Sequence, residues 1–308
     1  MNLSIADIVK YNAFNCKMAT TDKVSNFNFE KLANFEGSGA LYSPVEDKSG
    51  NIFAITTNGA IYTFQQGAEA PVAIYQKAGY STGVVFDSEG GCFVADGERK
   101  AIICPDLSDT TKEPAEVVKD YDGSALIGPN SLLLSKSSST LFFTDSGKFE
   151  DATCGPNNGS VFAIDLDVNI LKPILHSCLS FPSGLALSPK EDVLYVAETL
   201  ENRVLKIVFT ASGQHYASVF YQFAGSLGPT ALAMHSKGYL FVARYEVPEM
   251  TTNGTIAIIN DKGEWVTDLI IPHCPEITGL CFSKLHPDVL YMTERSQNFL
   301  YKIRITIK

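Results

Sequence analysis

A short hydrophobic run that begins with a small polar residue recurs six times along this chain. Successive runs start 44 to 53 residues apart. A repeat of roughly 40–50 residues is typical of arrays of identical supersecondary units, including the blades of β-propellers. Because the repeat continues evenly to the end of the chain, it indicates one closed domain rather than two. The leading residues of the six runs are Ser38, Thr82, Asn130, Ser183, Thr230 and Thr278.

Each repeat also contains later runs with the composition of β-strands. The second run carries an aromatic residue at its second position, as in Cys92–Ala95 and Leu240–Ala243. A third run follows, and a fourth is visible where the chain has room, as in Ala217–Tyr221. Runs rich in β-branched and aromatic residues and bounded by turn residues favour strands. Four antiparallel strands per repeat predict an all-β fold, a six-bladed β-propeller.

The two chain ends predict how the ring closes. The last repeat has room for only three strands before Lys308, and the strand-like segment Phe27–Leu32 precedes the first repeat. We predict that this N-terminal strand is the fourth strand of the last blade, which would remove the open edge. The expected organisation is therefore an N-terminal extension over residues 1–22 and a propeller over residues 23–308.

Composition excludes several classes of partner. The formal net charge is −10, and no run of Lys and Arg is longer than two, so we expect no nucleic-acid binding. No apolar stretch approaches the ~18 residues of a membrane-spanning helix, and residues 1–16 lack a signal-peptide core. The seven cysteines form no CxxC pair and several lie in apolar segments, which predicts reduced, buried thiols in a cytoplasmic protein.

In a propeller the first strand of each blade lines the central channel. The six leading residues should therefore form a ring at the channel mouth, which is the end where the first strands begin. All six are uncharged hydrogen-bonding residues, and we expect them to contact a small organic molecule. The last residues of the second strands should form a wider ring. There Glu198 either accepts backbone N–H groups or binds the ligand, and Arg244 either pairs with an acid or holds a carboxylate or phosphate.

Four segments resemble the senescence-marker-protein/gluconolactonase superfamily, and the resemblance covers about residues 24–308. This group includes lactonases and the squid-type phosphotriesterase. The resemblance implies a hydrolase of lactone or ester type, with a calcium ion at the channel mouth that polarises a carbonyl or phosphoryl oxygen. The segments that carry it are Gly128–Ser131, Leu141–Ser146, Phe181–Pro189 and Leu194–Thr199.

Carried over residue by residue, the family's calcium ligands match this chain at Asn130 alone. The expected Glu falls on Ser38, although Glu36 lies two residues upstream and would substitute if the loop bulges. The second Asn falls on Ser183, and the expected Asp falls on Thr230. Since calcium affinity depends strongly on charged oxygen ligands, we predict a degenerate calcium site that binds the ion weakly or not at all unless Glu36 reaches it.

Candidate catalytic residues follow from the same ring. They are Asn130, Ser183 and Thr230, together with His273, the one histidine that the repeat places near the mouth. His273 would act as a base beside a ring hydroxyl such as that of Thr278. Three functions stay open: a metal-free small-molecule-binding propeller, an active lactone or ester hydrolase with or without calcium, and a scaffold for a protein partner.

Overall fold

The computed structural model describes residues 24–35, 39–65, 67–68, 70–137, 139–148, 157–225, 228–246 and 251–307. These residues form six four-stranded antiparallel sheets, arranged as blades around a central channel. The predicted all-β, six-bladed propeller is confirmed, and the described residues contain no helix. None of them therefore forms a helix long and apolar enough to cross a membrane. The N-terminal extension predicted over residues 1–22 lies outside the described residues.

The first half of the chain supplies the N-terminal strand and three blades, with a two-stranded hairpin before the third. The N-terminal strand is β1 (Val24–Asn34). Blade one contains β2 (Leu41–Glu46), β3 (Ile52–Thr56), β4 (Ile61–Phe64) and β5 (Val72–Tyr75). Blade two contains β6 (Ser81–Phe86), β7 (Cys92–Asp96), β8 (Ala101–Cys104) and β9 (Ala115–Val118). The hairpin β10 (Asp120–Tyr121) and β11 (Ser124–Ala125) precedes blade three, which contains β12 (Pro129–Leu134), β13 (Thr140–Asp145), β14 (Gly159–Asp165) and β15 (Ile170–Leu179).

The second half supplies the remaining three blades. Blade four contains β16 (Pro182–Leu187), β17 (Val193–Glu198), β18 (Arg203–Phe209) and β19 (His215–Gln222). Blade five contains β20 (Pro229–Met234), β21 (Leu240–Arg244), β22 (Gly254–Ile259) and β23 (Trp265–Ile271). Blade six receives only three strands from this part of the chain, β24 (Ile277–Phe282), β25 (Val289–Glu294) and β26 (Phe299–Ile307).

The N-terminal strand completes blade six, as predicted. β1 pairs antiparallel with β26 from Val24 opposite Ile307 to Asn34 opposite Phe299. The sheet order is β1-β26-β25-β24, so the two ends of the chain share one blade. This pairing satisfies the outer edge of β26 and closes the ring without a free seam.

The hydrophobic core lies between the blades rather than inside any one of them. Each of the six clusters of buried side chains draws its members from two adjacent blades. The recurrent aromatic of the second strand contributes to these layers, and Phe241 is fully buried. Full burial of such a side chain contributes about 1.5–3 kcal/mol to the stability of the fold. Because the aromatic recurs in each second strand, this contribution recurs between neighbouring blades.

A closed set of side-chain to main-chain hydrogen bonds runs around the channel, and we call it the hydroxyl circuit. In each of its links, a Ser or Thr hydroxyl of one blade donates to a first-strand carbonyl of the next blade. The links, from blade one onwards, are Ser43 to Val84 (3.3 Å), Thr82 to Asn130 (3.0 Å), Thr144 to Ser183 (3.0 Å), Ser183 to Pro229 (3.3 Å), Thr230 to Ile277 (2.9 Å) and Thr278 to Leu41 (2.6 Å).

Close approach of neighbouring first strands requires glycine in the repeat. A Cβ on Gly184 would lie 2.7 Å from the Cα of Ala231 and 2.8 Å from the carbonyl oxygen of Thr230. The small residue that follows the leading polar residue is therefore a packing requirement, because it lets β16 and β20 meet backbone to backbone.

Candidate functional site

The central channel is the main cavity among the described residues, with a volume of about 1100 Å³. Its wall is formed by the first strands of the blades and is largely apolar in the middle, where Val84, Leu132, Leu185, Leu232 and Leu280 line it. Ligand sites in proteins are usually concave and mostly apolar, with a few polar groups that fix orientation. The channel therefore has the size and the chemistry of a small-molecule site.

Five of the six predicted ring residues line this channel together: Thr82, Asn130, Ser183, Thr230 and Thr278. The sixth, Ser38, lies outside the described residues, as does Glu36. Four of the five hydroxyl or amide residues belong to the hydroxyl circuit as donors, so their first task is to join the blades. Ser183 is 5% exposed, and its hydroxyl also lies 2.8 Å from that of Thr199.

Asn130 is held on both sides of its amide. Its side-chain oxygen accepts from the Thr82 hydroxyl at 3.1 Å, and its Nδ2 donates to the Ser146 hydroxyl at 3.0 Å. Calcium takes six to eight oxygen ligands and favours carboxylates. The family's ligand positions here offer one amide and the hydroxyls of Ser183 and Thr230, all of them already hydrogen-bonded. The described residues contain no group of three His, Cys, Asp or Glu residues that could hold a metal ion.

The acids that end the second strands are buried and face the loops rather than the channel. Asp145 is 3% exposed and accepts the backbone N–H groups of Ile127 at 3.0 Å and Gly128 at 2.7 Å. Burial raises the pKa of this carboxyl above its ordinary value, although the two N–H groups act in the opposite direction. Asp145 thus fixes the loop that leads into the first strand of blade three.

Glu198 serves the same purpose in blade four. It is fully buried, accepts the backbone N–H of Ser180 at 2.9 Å and pairs with Arg203 Nε at 2.7 Å. The hydrogen bond that Arg203 donates to Glu198 raises the pKa of Arg203. Glu198 does not line the channel, because its carboxylate is directed to the adjoining loop. Of the two roles that the sequence leaves open for it, the structure shows the acceptor role.

Arg244 and His273 also lie away from the channel lining. The Arg244 guanidinium stacks over the Phe223 ring at 5.1 Å and donates to the carbonyl of Ala224 at 3.3 Å. His273 is exposed in a loop and adopts a φ of 60°. Its carbonyl accepts from the side chain of Gln297. The structure therefore does not bring either residue together with the ring hydroxyls.

A polar cluster at the mouth was missed in the sequence. Tyr42 and Tyr245 line the channel with Arg295, and Glu276 lies behind them. Arg295 Nη1 is 3.4 Å from the Tyr42 hydroxyl, and its Nε is 3.8 Å from Glu276 Oε1. The Tyr245 hydroxyl donates to the same carboxylate oxygen. We call these four residues the mouth cluster.

Charge and burial set the protonation of the mouth cluster. Burial, reinforced by the Glu276 carboxylate, raises the pKa of Tyr245, which keeps its hydroxyl a donor. Burial opposes the charged form of Arg295, but Tyr42, Tyr245 and Glu276 outweigh it and raise the pKa of the guanidinium. The available sequence signal was position, since Tyr245 and Arg295 each directly follow the last residue of a second strand.

Comparison with known proteins agrees with this architecture. Residues 53–296 match the family described as SMP-30/Gluconolactonase/LRE-like region. The chain belongs to this family. The resemblance found in blades three and four is thereby confirmed over most of the propeller.

Curated relatives of the chain include lactonases. It is 26% identical over 245 residues to the lactonase drp35 of Staphylococcus epidermidis RP62A, which covers 78% of this chain and 68% of the relative. It is 29% identical over 211 residues to the lactonase drp35 of Staphylococcus aureus USA300, which covers 67% of this chain and 56% of the relative. The matched region thus spans little more than half of the Staphylococcus aureus protein.

Solved structures share the fold at lower sequence identity. The gluconolactonase XC5397 of Xanthomonas campestris superposes with a TM-score of 0.75 at 17% identity, covering 92% of this chain and 95% of that one. The calcium-binding protein regucalcin of Agrobacterium tumefaciens C58 superposes with a TM-score of 0.73 at 14% identity, covering 91% and 95%. At these identities the similarity demonstrates the fold alone.

Proposed function

We propose that this chain binds a small organic molecule at the mouth of its channel and does so without a resident calcium ion. The observation that carries the proposal is the chemistry of the family's ligand positions. Asn130, Ser183 and Thr230 are uncharged, and each already has a hydrogen-bond partner within the protein. A divalent cation would meet no negative charge from these residues, so its affinity would be low.

The mouth offers a different set of contacts to a ligand. Asn130 and Arg295 supply polar groups, and Tyr42, Tyr80 and Tyr245 supply rings on the same lining. The apolar wall below them removes ligand surface from water, which contributes roughly 25 cal/mol per Å². We expect these polar groups, rings and apolar wall to bind a small organic molecule together. We also expect the protein to be cytoplasmic.

A second candidate function is hydrolysis of a lactone or ester. It is favoured by the family and by the lactonase drp35 relatives. In the described part of the mouth, the Ser183, Thr230 and Thr278 hydroxyls contact other hydroxyls and carbonyls rather than a histidine. Calcium-dependent hydrolysis would therefore need a charged calcium ligand from outside the described residues, and Glu36 is the candidate.

The metal content of the purified protein tests the first half of the proposal. We expect sub-stoichiometric calcium and the same thermal midpoint in calcium and in chelator. A calcium site filled to 100 times its Kd would add about 2.7 kcal/mol of stability, which a thermal melt detects readily. A stoichiometric calcium ion with such a shift would contradict the proposal and favour the calcium-dependent hydrolase.

A panel of lactones, esters and the corresponding acids tests the second half, with binding and turnover measured separately. Asn130→Ala should weaken binding of a panel ligand roughly three- to tenfold, the range of one hydrogen bond. Lys136→Ala is the matched control, because Lys136 lines the far end of the same channel. Equal loss with both variants, or no binding by any panel member, would contradict a ligand site at the mouth.

A further inference from the structure

We propose that Arg295 is the fixed cation of the channel mouth and that the ligand is an organic acid with an apolar body. The inference rests on the proposed function, since it concerns the same mouth. It names the chemical class of the ligand and the residue that selects its charge.

The distribution of charge along the channel supports this choice. Apart from Arg295, the acidic residues, lysines and histidine among the described lining lie at the far end, in or beside the turns between first and second strands. Arg295 instead follows β25 directly, at the mouth. Among the described lining residues it is thus the single charged side chain at this end of the channel. The far-end set is Asp47, Lys48, Asp87, Glu89, Lys136, Glu191, His235 and Lys284.

The position of Arg295 is fixed by its surroundings. Its backbone N–H donates to the Glu276 carbonyl at 3.1 Å, and its guanidinium meets the Tyr42 hydroxyl at 3.4 Å. Its side chain is 26% exposed, so it is partly desolvated and yet open to the channel. An arginine held in this way loses little side-chain entropy when it binds an anion.

Glu276 is a described carboxylate that faces this charge. Its carboxylate oxygen is 3.8 Å from Arg295 Nε, whereas a charge-assisted N–H···O bond measures about 2.7–2.9 Å. The same oxygen also accepts the Tyr245 hydroxyl. Because Arg295 lines the channel and Glu276 does not, a ligand meets the positive side of the pair. A carboxylate at hydrogen-bond distance would interact with the guanidinium more strongly than Glu276 does.

The remaining lining defines the other end of the ligand. Tyr80 and Phe181 add rings to those of the mouth cluster, and below them the wall is formed by side chains such as Val84, Leu132 and Leu280. Burial of methylene groups against such a surface favours binding, because it removes apolar area from water. An acid with a short alkyl or aryl body would therefore place its carboxylate on Arg295 and its apolar part in the channel.

Octanoate and octanamide test this inference, because they share one alkyl chain and differ in charge. Their binding to the full chain and to its variants is measured by titration calorimetry at constant ionic strength. We expect the protein to prefer octanoate by about 10- to 100-fold, the range for one hydrogen bond to a charged group. Arg295→Met should remove that preference, because octanoate affinity should fall much further than octanamide affinity. Arg295→Lys, which keeps the charge, should retain part of the preference.

Lys284→Met is the matched control, since it removes a positive charge from the far end of the same channel. It should leave octanoate affinity unchanged, and a loss equal to that of Arg295→Met would overturn the assignment. Equal affinity of the wild type for both probes would also overturn it, while small-molecule binding at the mouth would stand. If the protein binds lactones or esters but neither probe, the proposed ligand class is overturned and the proposed function stands. Binding of no small molecule overturns the proposed function as well.

Discussion

The contact between blades one and six depends on a buried carboxylate, Glu46, the last residue of β2. It is 1% exposed, and among the described residues the hydrogen bonds that its carboxylate accepts come from blade six. The Ser283 hydroxyl lies 2.8 and 2.9 Å from its two oxygens, and the Tyr291 hydroxyl lies 3.3 Å from Oε1. The backbone N–H of Lys284 donates to Oε2. Glu46 therefore joins the first and last repeats through side-chain hydrogen bonds, in addition to the pairing of β1 with β26.

Replacement of Glu46 by Gln tests how much this contact contributes to stability. The side-chain amide of the Glu46→Gln variant keeps one acceptor oxygen. Its NH₂ group replaces the other oxygen and would face groups that are themselves hydrogen-bond donors. The hydroxyls of Ser283 and Tyr291 can rotate to accept, but the N–H of Lys284 cannot. Burial, with the Glu46 charge, raises the pKa of Tyr291 to about 12, so its hydroxyl is a donor at neutral pH. Loss of one or two charge-assisted hydrogen bonds should cost about 2–4 kcal/mol.

Thermal and chemical unfolding measure this loss. At roughly 2–4 °C per kcal/mol for a chain of this size, the midpoint should fall by about 5–15 °C. Glu30→Gln is the matched control, because Glu30 is 61% exposed and pairs with Lys302 at 3.6 Å across the same closing blade. That exposed pair should contribute about 0–1 kcal/mol. If the two substitutions cost the same, the argument that buried carboxylate bonds hold the seam is refuted.

Two further predictions concern single positions. Gly254→Ala should cost about 2–3 kcal/mol or prevent folding, because the new Cβ would lie 1.9 Å from the Cys274 carbonyl oxygen; an unchanged denaturation midpoint would contradict it. Asp145→Asn should alter the pH dependence of stability. Burial raises the pKa of Asp145 in the folded state, so the folded protein binds the carboxyl proton more tightly than the unfolded chain does. The contribution of Asp145 to the free energy of unfolding therefore falls as the pH rises through its unfolded and folded pKa values. Urea unfolding at pH 7 and pH 5 should show the wild type gaining on Asp145→Asn as the pH is lowered, and a constant difference would count against it.

The fold could be predicted from the sequence because the repeat is a local signal with a fixed period. A polar residue, a small residue and an apolar pair recur at each first strand, and the aromatic of each second strand fills the space between blades. Phe27–Leu32 was recognisable as the closing strand because the last repeat lacked one. These features depend on neighbours in sequence or on the geometry of the ring, and both are visible without coordinates.

The site was predictable only in part. Thr82, Asn130 and Thr278 reach the channel as the repeat implies, but the sequence did not reveal that their polar groups bond to the next blade. The sequence places Arg295 directly after the second strand of blade six, but its contacts with Tyr42 and Glu276 depend on the path of the chain after β25 and are not visible there. Glu46 was missed because a lone acid in a strand gives no sign that its partners lie more than 200 residues away.

The hydroxyl circuit has a consequence for how this propeller can diversify. A metal ion at a channel mouth ties several blades to one point, so losing the ion loosens all of them at once. In this chain six hydroxyl-to-carbonyl bonds of 2.6 to 3.3 Å join each blade to the next. These bonds to main-chain carbonyls, and not a bound ligand, therefore fix the width of the channel. We expect ligand preference to change through lining residues outside the hydroxyl circuit, such as Tyr42 and Arg295.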